Sequence, residues 1–337
     1  MAEKPILVGI TQGDVNGIGY EVITKALIDT RMLETCTPLV YGNSKVASYY
    51  RKTIKNCSDF IFNIVRQPNQ AVNHKNNLIN VADGEIKVDI GESTEIAGQM
   101  SLTALKMATE HILGKQIDVL VTAPINKHNI PADVFSFPGH TEYLAKASNV
   151  IDYLMLMVSD NLRIGTITTH CALSAVPSML SKDLIVKKLR VLNHSLKTDF
   201  VCTSPKIAVL SLNPHAGDNA MFGKEEKDII IPAIEEAFKK DVYAFGPFSA
   251  DGFFGSGQYT KFDAVLAMYH DQAMLPFKIL SYGEGVNFTA GLPFVRTSPA
   301  HGTAYEIAGK DIASPNSFRN AVYLACDIFN NRKRLSE

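Results

Sequence analysis

The chain lacks the means of covalent stapling. Its five cysteines (Cys36, Cys57, Cys171, Cys202 and Cys326) are odd in number, scattered and never spaced as C-x-x-C. That argues against a disulfide framework and against a cysteine zinc site. A surplus of charge is also missing: 33 Lys and Arg against 34 Asp and Glu leave a formal −1. A general polyanion or membrane-surface binder needs a basic excess, so neither nucleic acid nor membrane is expected as a partner. No apolar run approaches the ~20 residues that cross a bilayer. The short run from Pro5 to Thr11 lacks the length and cleavage site of a signal peptide. The expected setting is a reducing cytoplasm. Internal repeats, low-complexity tracts and obvious linkers are absent too.

What remains is ordinary globular composition, 46% hydrophobic and 20% charged over 337 residues, about two domains at roughly 150 residues each. Short apolar runs alternate with amphipathic segments, the pattern of an α/β protein with a largely parallel sheet. Strands are expected at Ile6–Ile10, Pro38–Tyr41, Phe60–Val65, Val119–Thr122, Leu154–Val158, Ile164–Thr168, Ile207–Leu212 and Ala264–Met268. Ser159-Asp160-Asn161 reads as a hairpin turn that makes part of the sheet antiparallel. Ile185, Leu189, Leu192 and Leu196 recur at helical spacing. Helices are also expected over Glu95–Lys115, Glu225–Lys240 and Ser317–Asn330. Domain boundaries are weakly signalled, and a discontinuous arrangement fits as well as a tandem one.

Three histidines occupy equivalent positions. His170 follows the run Ile164 to Thr169, His215 follows Ile207 to Pro214, and His270 follows Asp263 to Tyr269. Ligands of open α/β sheets bind beyond the carboxyl ends of strands. Three imidazoles there could share one divalent metal and leave a position for substrate, or each could simply terminate its strand. Asp251 and Asp271 are candidate supporting or acid–base carboxylates, or else turn and helix-start aspartates.

Two segments suit anions or tight turns. Gly13 to Gly19 follows the first strand, but its glycine order is not the G-x-G-x-x-G dinucleotide fingerprint. Gly139-His140-Thr141-Glu142 opens a helix whose free N–H groups could receive a phosphate or carboxylate, with Thr141 as cap in the alternative. Lys278, Asn287 and Arg296 stand in apolar or glycine-rich company; a buried arginine implies an anionic ligand. His301-Gly302-Thr303-Ala304 is a small-residue loop that a flat ligand could approach closely.

Taken together, these motifs resemble the 4-hydroxythreonine-4-phosphate dehydrogenase family nearly end to end. The resemblance rests on Ile10 to Asp14, Thr122 to Lys127, Gly139 to Glu142, Thr168 to His170, Leu212 to Gly217, Ala267 to Gln272, Gly291 to Ser298 and His301 to Ala304. It implies two α/β/α domains with mixed, largely parallel sheets and a cleft between them, like isocitrate and isopropylmalate dehydrogenases. The expected division is 1–135 plus 280–337 on the dinucleotide side, with 136–279 as the metal-binding and dimerisation domain. It further implies a homodimer with the active site at the subunit interface, so that one metal histidine could come from the partner chain.

The same resemblance assigns His170, His215 and His270 to one divalent metal (zinc, cobalt or magnesium). It assigns His140, Thr141, Lys278, Asn287 and Arg296 to a small phosphorylated hydroxy amino acid. His301, Gly302, Thr303 and Glu306 would hold NAD, or NADP, with His301 near adenine and Glu306 near the ribose. Asp251 or Lys278 would be the base, the lysine only with a lowered pKa. Several positions depart from the family pattern: Gln12, Val15-Asn16, Gly252, Ala273, Ala300 and Glu306. None removes a proposed ligand, though Glu306 replaces a usual aspartate. The expected reaction is oxidation and decarboxylation of 4-phosphooxy-L-threonine in vitamin B6 synthesis. A paralogous dehydrogenase of D-threonate or D-erythronate 4-phosphate is one alternative. A three-histidine phosphate-ester metallohydrolase is another, and it leaves the His301 loop without a purpose. A non-catalytic metal or phosphate binder is a third.

Overall fold

The computed structural model describes residues 4–84, 86–131, 134–160 and 162–337. In chain order its strands are β1 (Ile6–Thr11), β2 (Cys36–Gly42), β3 (Asn63–Val65), β4 (Asn77–Asn80), β5 (Val119–Thr122) and β6 (Leu154–Ser159). They continue with β7 (Leu162–Thr166), β8 (Lys206–Leu210), β9 (Tyr243–Phe248), β10 (Ala264–Ala267), β11 (Val286–Ala290) and β12 (Val295–Pro299). The chain divides into two compact units: Met1–Ser148 with Pro293–Asn330, and Asn149–Leu292 with Asn331–Glu337.

In the first unit the strand order is β3-β4-β2-β1-β5-β12, and each neighbouring pair is parallel. β1 and β2 are buried at every position, as expected of strands covered on both faces. The helix Glu95–Leu113 starts where the Thr94 hydroxyl accepts from the Ala97 N–H. Its buried residues include Met100, Leu105, Ala108 and Ile112, the spacing that had marked it as amphipathic. The division after Ser148 differs from the expected one after residue 135. Helix His140–Ala147 belongs to this unit because Tyr143 packs on Phe135 and Phe137, with ring centroids 5.6 and 5.5 Å away.

In the second unit the order is β11-β6-β7-β10-β8-β9. β11 and β6, and β6 and β7, run antiparallel, while β7, β10, β8 and β9 are mutually parallel. The β6–β7 hairpin pairs Ser159 with Leu162 as the turn had predicted, although Asn161 itself lies outside the described residues. Ser181 caps the helix Lys182–Thr198, and Ile185, Leu189, Leu192 and Leu196 are all fully buried.

The expected helix over Glu225–Lys240 is instead a π-helical turn, Glu226–Ile230, followed by an α-helix, Ile231–Phe238. Pro232 has no N–H to give to the ladder, and Ile231 N–H reaches back five residues to the Glu226 carbonyl. Strands β4, β9, β11 and β12 were not anticipated. β9 contains Gly246-Pro247, which argues against a strand except at an edge, and an edge is where it lies.

Candidate active site

The first unit builds a buried cation cradle. Arg296 projects from β12 and is only 2% exposed. Its Nε and one terminal nitrogen donate to the Thr122 hydroxyl at 3.2 and 2.6 Å, and the other terminal nitrogen donates to the Thr141 hydroxyl at 3.5 Å. Thr122 closes β5, next to β12 in register, and Thr141 lies in the first turn of helix His140–Ala147. Burial pushes the guanidinium down to about 10, against the pull of Glu142. His140 is held neutral, well below the usual histidine range, by burial and then by the positive charges of Arg296 and Lys127. Its Nε2 is buried without a hydrogen-bond partner. Lys127 reaches the same helix start: a Cβ on Gly139 would stand 3.8 Å from its Nζ. Helix N–H groups, the cations Arg296 and Lys127 and the neutral imidazole of His140 suit a phosphate or carboxylate.

The same unit settles the glycine-rich turn. Gly13 has φ +70°, and a Cβ there would fall 2.4 Å from the Pro124 carbonyl oxygen. Gly17 is needed because a Cβ would sit 2.7 Å from the Thr303 oxygen, which also accepts from Ile18 N–H at 3.0 Å. Asp14 is buried and accepts from Asn16 N–H at 2.9 Å and from Asn129 and Tyr305 side chains, each at 2.8 Å. This segment is therefore a structural turn that anchors the loop carrying His301, Gly302, Thr303 and Glu306. Burial raises the Tyr305 hydroxyl to about 12. On the loop, Gly302 is exposed with open space where a Cβ would be, and Glu306 is exposed. His301 is lowered by burial, and its Nε2 is buried with no partner. An orphaned imidazole nitrogen beside an open glycine fits a ligand with a hydrogen-bonding edge, as an adenine has.

In the second unit the three histidines stand at the carboxyl ends of neighbouring parallel strands, β7, β10 and β8. His170 and His270 rings are 5.9 Å apart and border a cavity of about 670 Å³ lined also by Thr169, Cys171, Tyr269 and Asp271. His270 Nδ1 lies 2.7 Å from Asp271 Oδ1, which leaves Nε2 to face a ligand. His215 is not brought into that pair: no group of three or more His, Cys, Asp or Glu close enough to hold a metal occurs among the described residues. It stands instead with its ring 6.3 Å from Phe222 and within electrostatic reach of Asp251. The Asp251 carboxyl is lowered by a bond from the Ser249 hydroxyl, then by the Gly252 N–H and His215. Lys278 lies exposed in the last turn of helix His270–Ser281, and Asn287, on β11, has a buried Oδ1 without a partner.

Two imidazoles sharing one zinc at ~2.1 Å per nitrogen would put their ring centroids about 5–6 Å apart. The His170–His270 pair fits that measure, and its carboxylate partner is the usual orienting group of a metal-bound histidine. A single chain thus brings two of the three nominated histidines together and leaves the third apart.

The profile of the family described as pyridoxal phosphate biosynthetic protein PdxA matches residues 34–325. The chain belongs to the PdxA family. A 4-hydroxythreonine-4-phosphate dehydrogenase of Bacteroides thetaiotaomicron is 50% identical over 335 residues, 99% of this chain and 92% of that protein. A protein of Oceanobacillus iheyensis that carries, provisionally, the name D-threonate 4-phosphate dehydrogenase is 36% identical over 97% of this chain and 99% of its own. The crystal structure of 4-hydroxythreonine-4-phosphate dehydrogenase from Klebsiella pneumoniae superposes with a TM-score of 0.81 at 32% identity, covering 98% of this chain and 99% of that one. The expected family and its mixed, mostly parallel α/β architecture are thus found.

Among residues of this PdxA chain that carried no role in the sequence reading, Thr122, Lys127 and Glu142 belong to the cradle, and Asp14 and Tyr305 hold the His301 loop. Thr122, Lys127, Glu142 and Asp14 lay inside motifs that already stood out, and a spacing rule gives no reason to single out one member of a motif. Of the ten buried side-chain nitrogen and oxygen atoms without a partner among the described residues, three belong to nominated site residues: His140, Asn287 and His301. Folding leaves such atoms unpaired only rarely, so these three have hydrogen-bonding capacity that a ligand could use.

Proposed function

We propose that this chain is a 4-hydroxythreonine-4-phosphate dehydrogenase: it oxidises 4-phosphooxy-L-threonine with NAD and releases carbon dioxide, leaving 3-amino-2-oxopropyl phosphate. This is a step of pyridoxine 5′-phosphate synthesis and is assigned to the cytoplasm; among the described residues no helix is long and apolar enough to cross a membrane. The observation that carries the reading is the buried cradle of Arg296, Thr122, Thr141 and His140, a cationic cluster in which the His140 Nε2 has no hydrogen-bond partner. It suits a doubly charged phosphate, and the named relatives act on phosphorylated substrates.

In this reading Arg296, Lys127 and the helix start at His140 hold the anionic end of the substrate and fix its orientation. Asn287 and Lys278 hold its other polar groups. His170, His215 and His270 hold a divalent ion, with zinc or cobalt favoured by three imidazoles over magnesium, which prefers oxygen ligands. A divalent ion held there would supply Lewis-acid polarisation of the substrate oxygen, and a bound nicotinamide would supply the two-electron acceptor for the oxidation. Asp251 or Lys278 accepts the hydroxyl proton. The carboxylate then leaves as carbon dioxide, and the carbon that carried it takes a proton in its place. His301, Gly302, Thr303 and Glu306 hold the adenosine half of NAD, with NADP as the other candidate. Because one chain groups only two of the three histidines, the complete ligand set is assigned to a homodimer with its active site at the subunit interface. The exposed apolar residues Leu275 and Ile279 on the helix that begins at His270, with Tyr282 just past its end, support such an interface.

The test is NADH formation by the purified protein with 4-phosphooxy-L-threonine, NAD and a divalent metal, alongside a chelator control. Metal-dependent NADH with equimolar carbon dioxide is the expected result. The Oceanobacillus iheyensis relative favours a second reading, D-threonate 4-phosphate or its erythronate analogue as substrate. Turnover of those compounds with none of the threonine phosphate would replace the first reading. Phosphate release without nicotinamide would remove both.

A further inference from the structure

The loop that carries His215 has an unusual backbone. From His215 to Ala220, six consecutive residues have positive φ: 52°, 53°, 80°, 41°, 54° and 73°. Only Gly217 among them is a glycine, and L-residues rarely adopt this region even singly. Such a run persists where surrounding contacts over-determine it.

Those contacts converge on one side chain. Glu226 is 3% exposed. One of its carboxylate oxygens accepts from the backbone N–H groups of Leu212 and Asn213, each at 2.8 Å. The other accepts from Asn213 Nδ2 at 3.0 Å, a group that also donates to Glu225 at 2.8 Å. Beyond His215 the chain returns over the same carboxylate: a Cβ on Gly217 would lie 2.7 Å from it. Glu226 is therefore bonded just before His215 and closely covered just after it. Its side chain leaves the first residue of the π-helical turn Glu226–Ile230, an irregularity frequent at functional sites.

We propose that Glu226 is the positioning residue for His215. It touches no substrate, and it acts by fixing the left-handed loop that aims the imidazole. The proposal rests on the reading of His215 as a metal ligand.

The experiment compares Glu226→Gln and Glu226→Asp with the wild-type dimer. Cobalt(II) affinity is measured by equilibrium dialysis, the cobalt visible absorption is recorded, and thermal melting is followed in parallel. Glu226→Gln is expected to lower cobalt affinity about 10–100-fold, as loss of a ligand-orienting partner does, and to change the absorption spectrum. Glu226→Asp should recover part of both. Gly217→Ala, which pushes the carboxylate without removing it, should reproduce the spectral change and serves if Glu226→Gln does not fold. Wild-type affinity and spectrum in both Glu226→Gln and Gly217→Ala, whatever the melting temperature, would overturn the proposal alone. A wild-type protein that takes up no cobalt would remove the metal reading and the proposal with it.

Discussion

The two units carry candidate groups built on opposite plans. In the first unit the anion cradle is finished within one chain: Arg296 and Thr141 are buried, and the hydroxyls that orient the guanidinium come from a strand end and a helix start. In the second unit the histidines stand on exposed or half-exposed strand ends, two together and one apart. In the proposed function the difference reflects what each ligand would contribute. A phosphate is already strongly hydrated, so a site must be prearranged and dry to compete with water for it. A divalent metal brings its own large binding energy, so its ligands can be left open until the ion, or a second chain, gathers them.

Histidine substitutions should separate the plans most sharply. Replacing His215 or His270 by alanine is expected to abolish bound metal and to lower kcat at least ~1000-fold, with metal content measured beside turnover. A fully active His215→Ala enzyme would end the metal assignment. The shared-site idea has its own test in subunit mixing. If two inactive variants carry their lesions in halves contributed by different chains, mixed dimers regain one intact site. No recovery for any pairing of His170, His215 and His270 variants would assign each site to a single chain.

Arg296→Met comes next. Losing one partner of a buried charged contact is expected to cost about 2–5 kcal/mol, so kcat/KM should fall roughly 30- to 5000-fold. Folding disfavours the charged form of a guanidinium pushed down to about 10, by an amount on the order of 3 kcal/mol. The inactive variant should therefore melt no lower than the wild type. A large drop in melting temperature would show that Arg296 is structural.

Smaller effects test the buried unit's electrostatics. In the folded state His140 is held neutral well below its ordinary value, while the unfolded chain takes up a proton near pH 6.5. Wild-type stability should thus fall as pH drops through about 6.5, by at most ~1.4 kcal/mol per pH unit from this group. His140→Gln should flatten that slope in melts between pH 7 and 5, and an unchanged slope would exclude a buried neutral His140. Tyr305→Phe removes one bond to Asp14, about 1 kcal/mol. It is expected to raise the KM for NAD several-fold while leaving metal binding untouched.

Much of this molecule was legible in the sequence. The Ile185–Leu196 stripe is a helix face because burial there follows the 3.6-residue period. His170, His215 and His270 end neighbouring parallel strands because an apolar run stops where the chain leaves the sheet. What resisted reading has physical causes. β9 carries a glycine and a proline, acceptable only at a sheet edge, and no local pattern tells a chain which strand will lie at the edge. The helix expected over Glu225–Lys240 took a π-helical start because Pro232 lacks an amide hydrogen.

The sequence by itself determined the family, the alternation of strands and helices, and the residue types gathered at strand ends, because periodicity and motif order are local properties. Only the tertiary structure decided that Arg296 is buried against Thr122 from 174 residues away. The same holds for Asp14, which ties the first turn to the Tyr305 loop, and for Glu226, whose carboxylate sets the loop of His215. Burial and the pairing of polar groups depend on which segments meet in space, and that is settled by packing the whole chain at once.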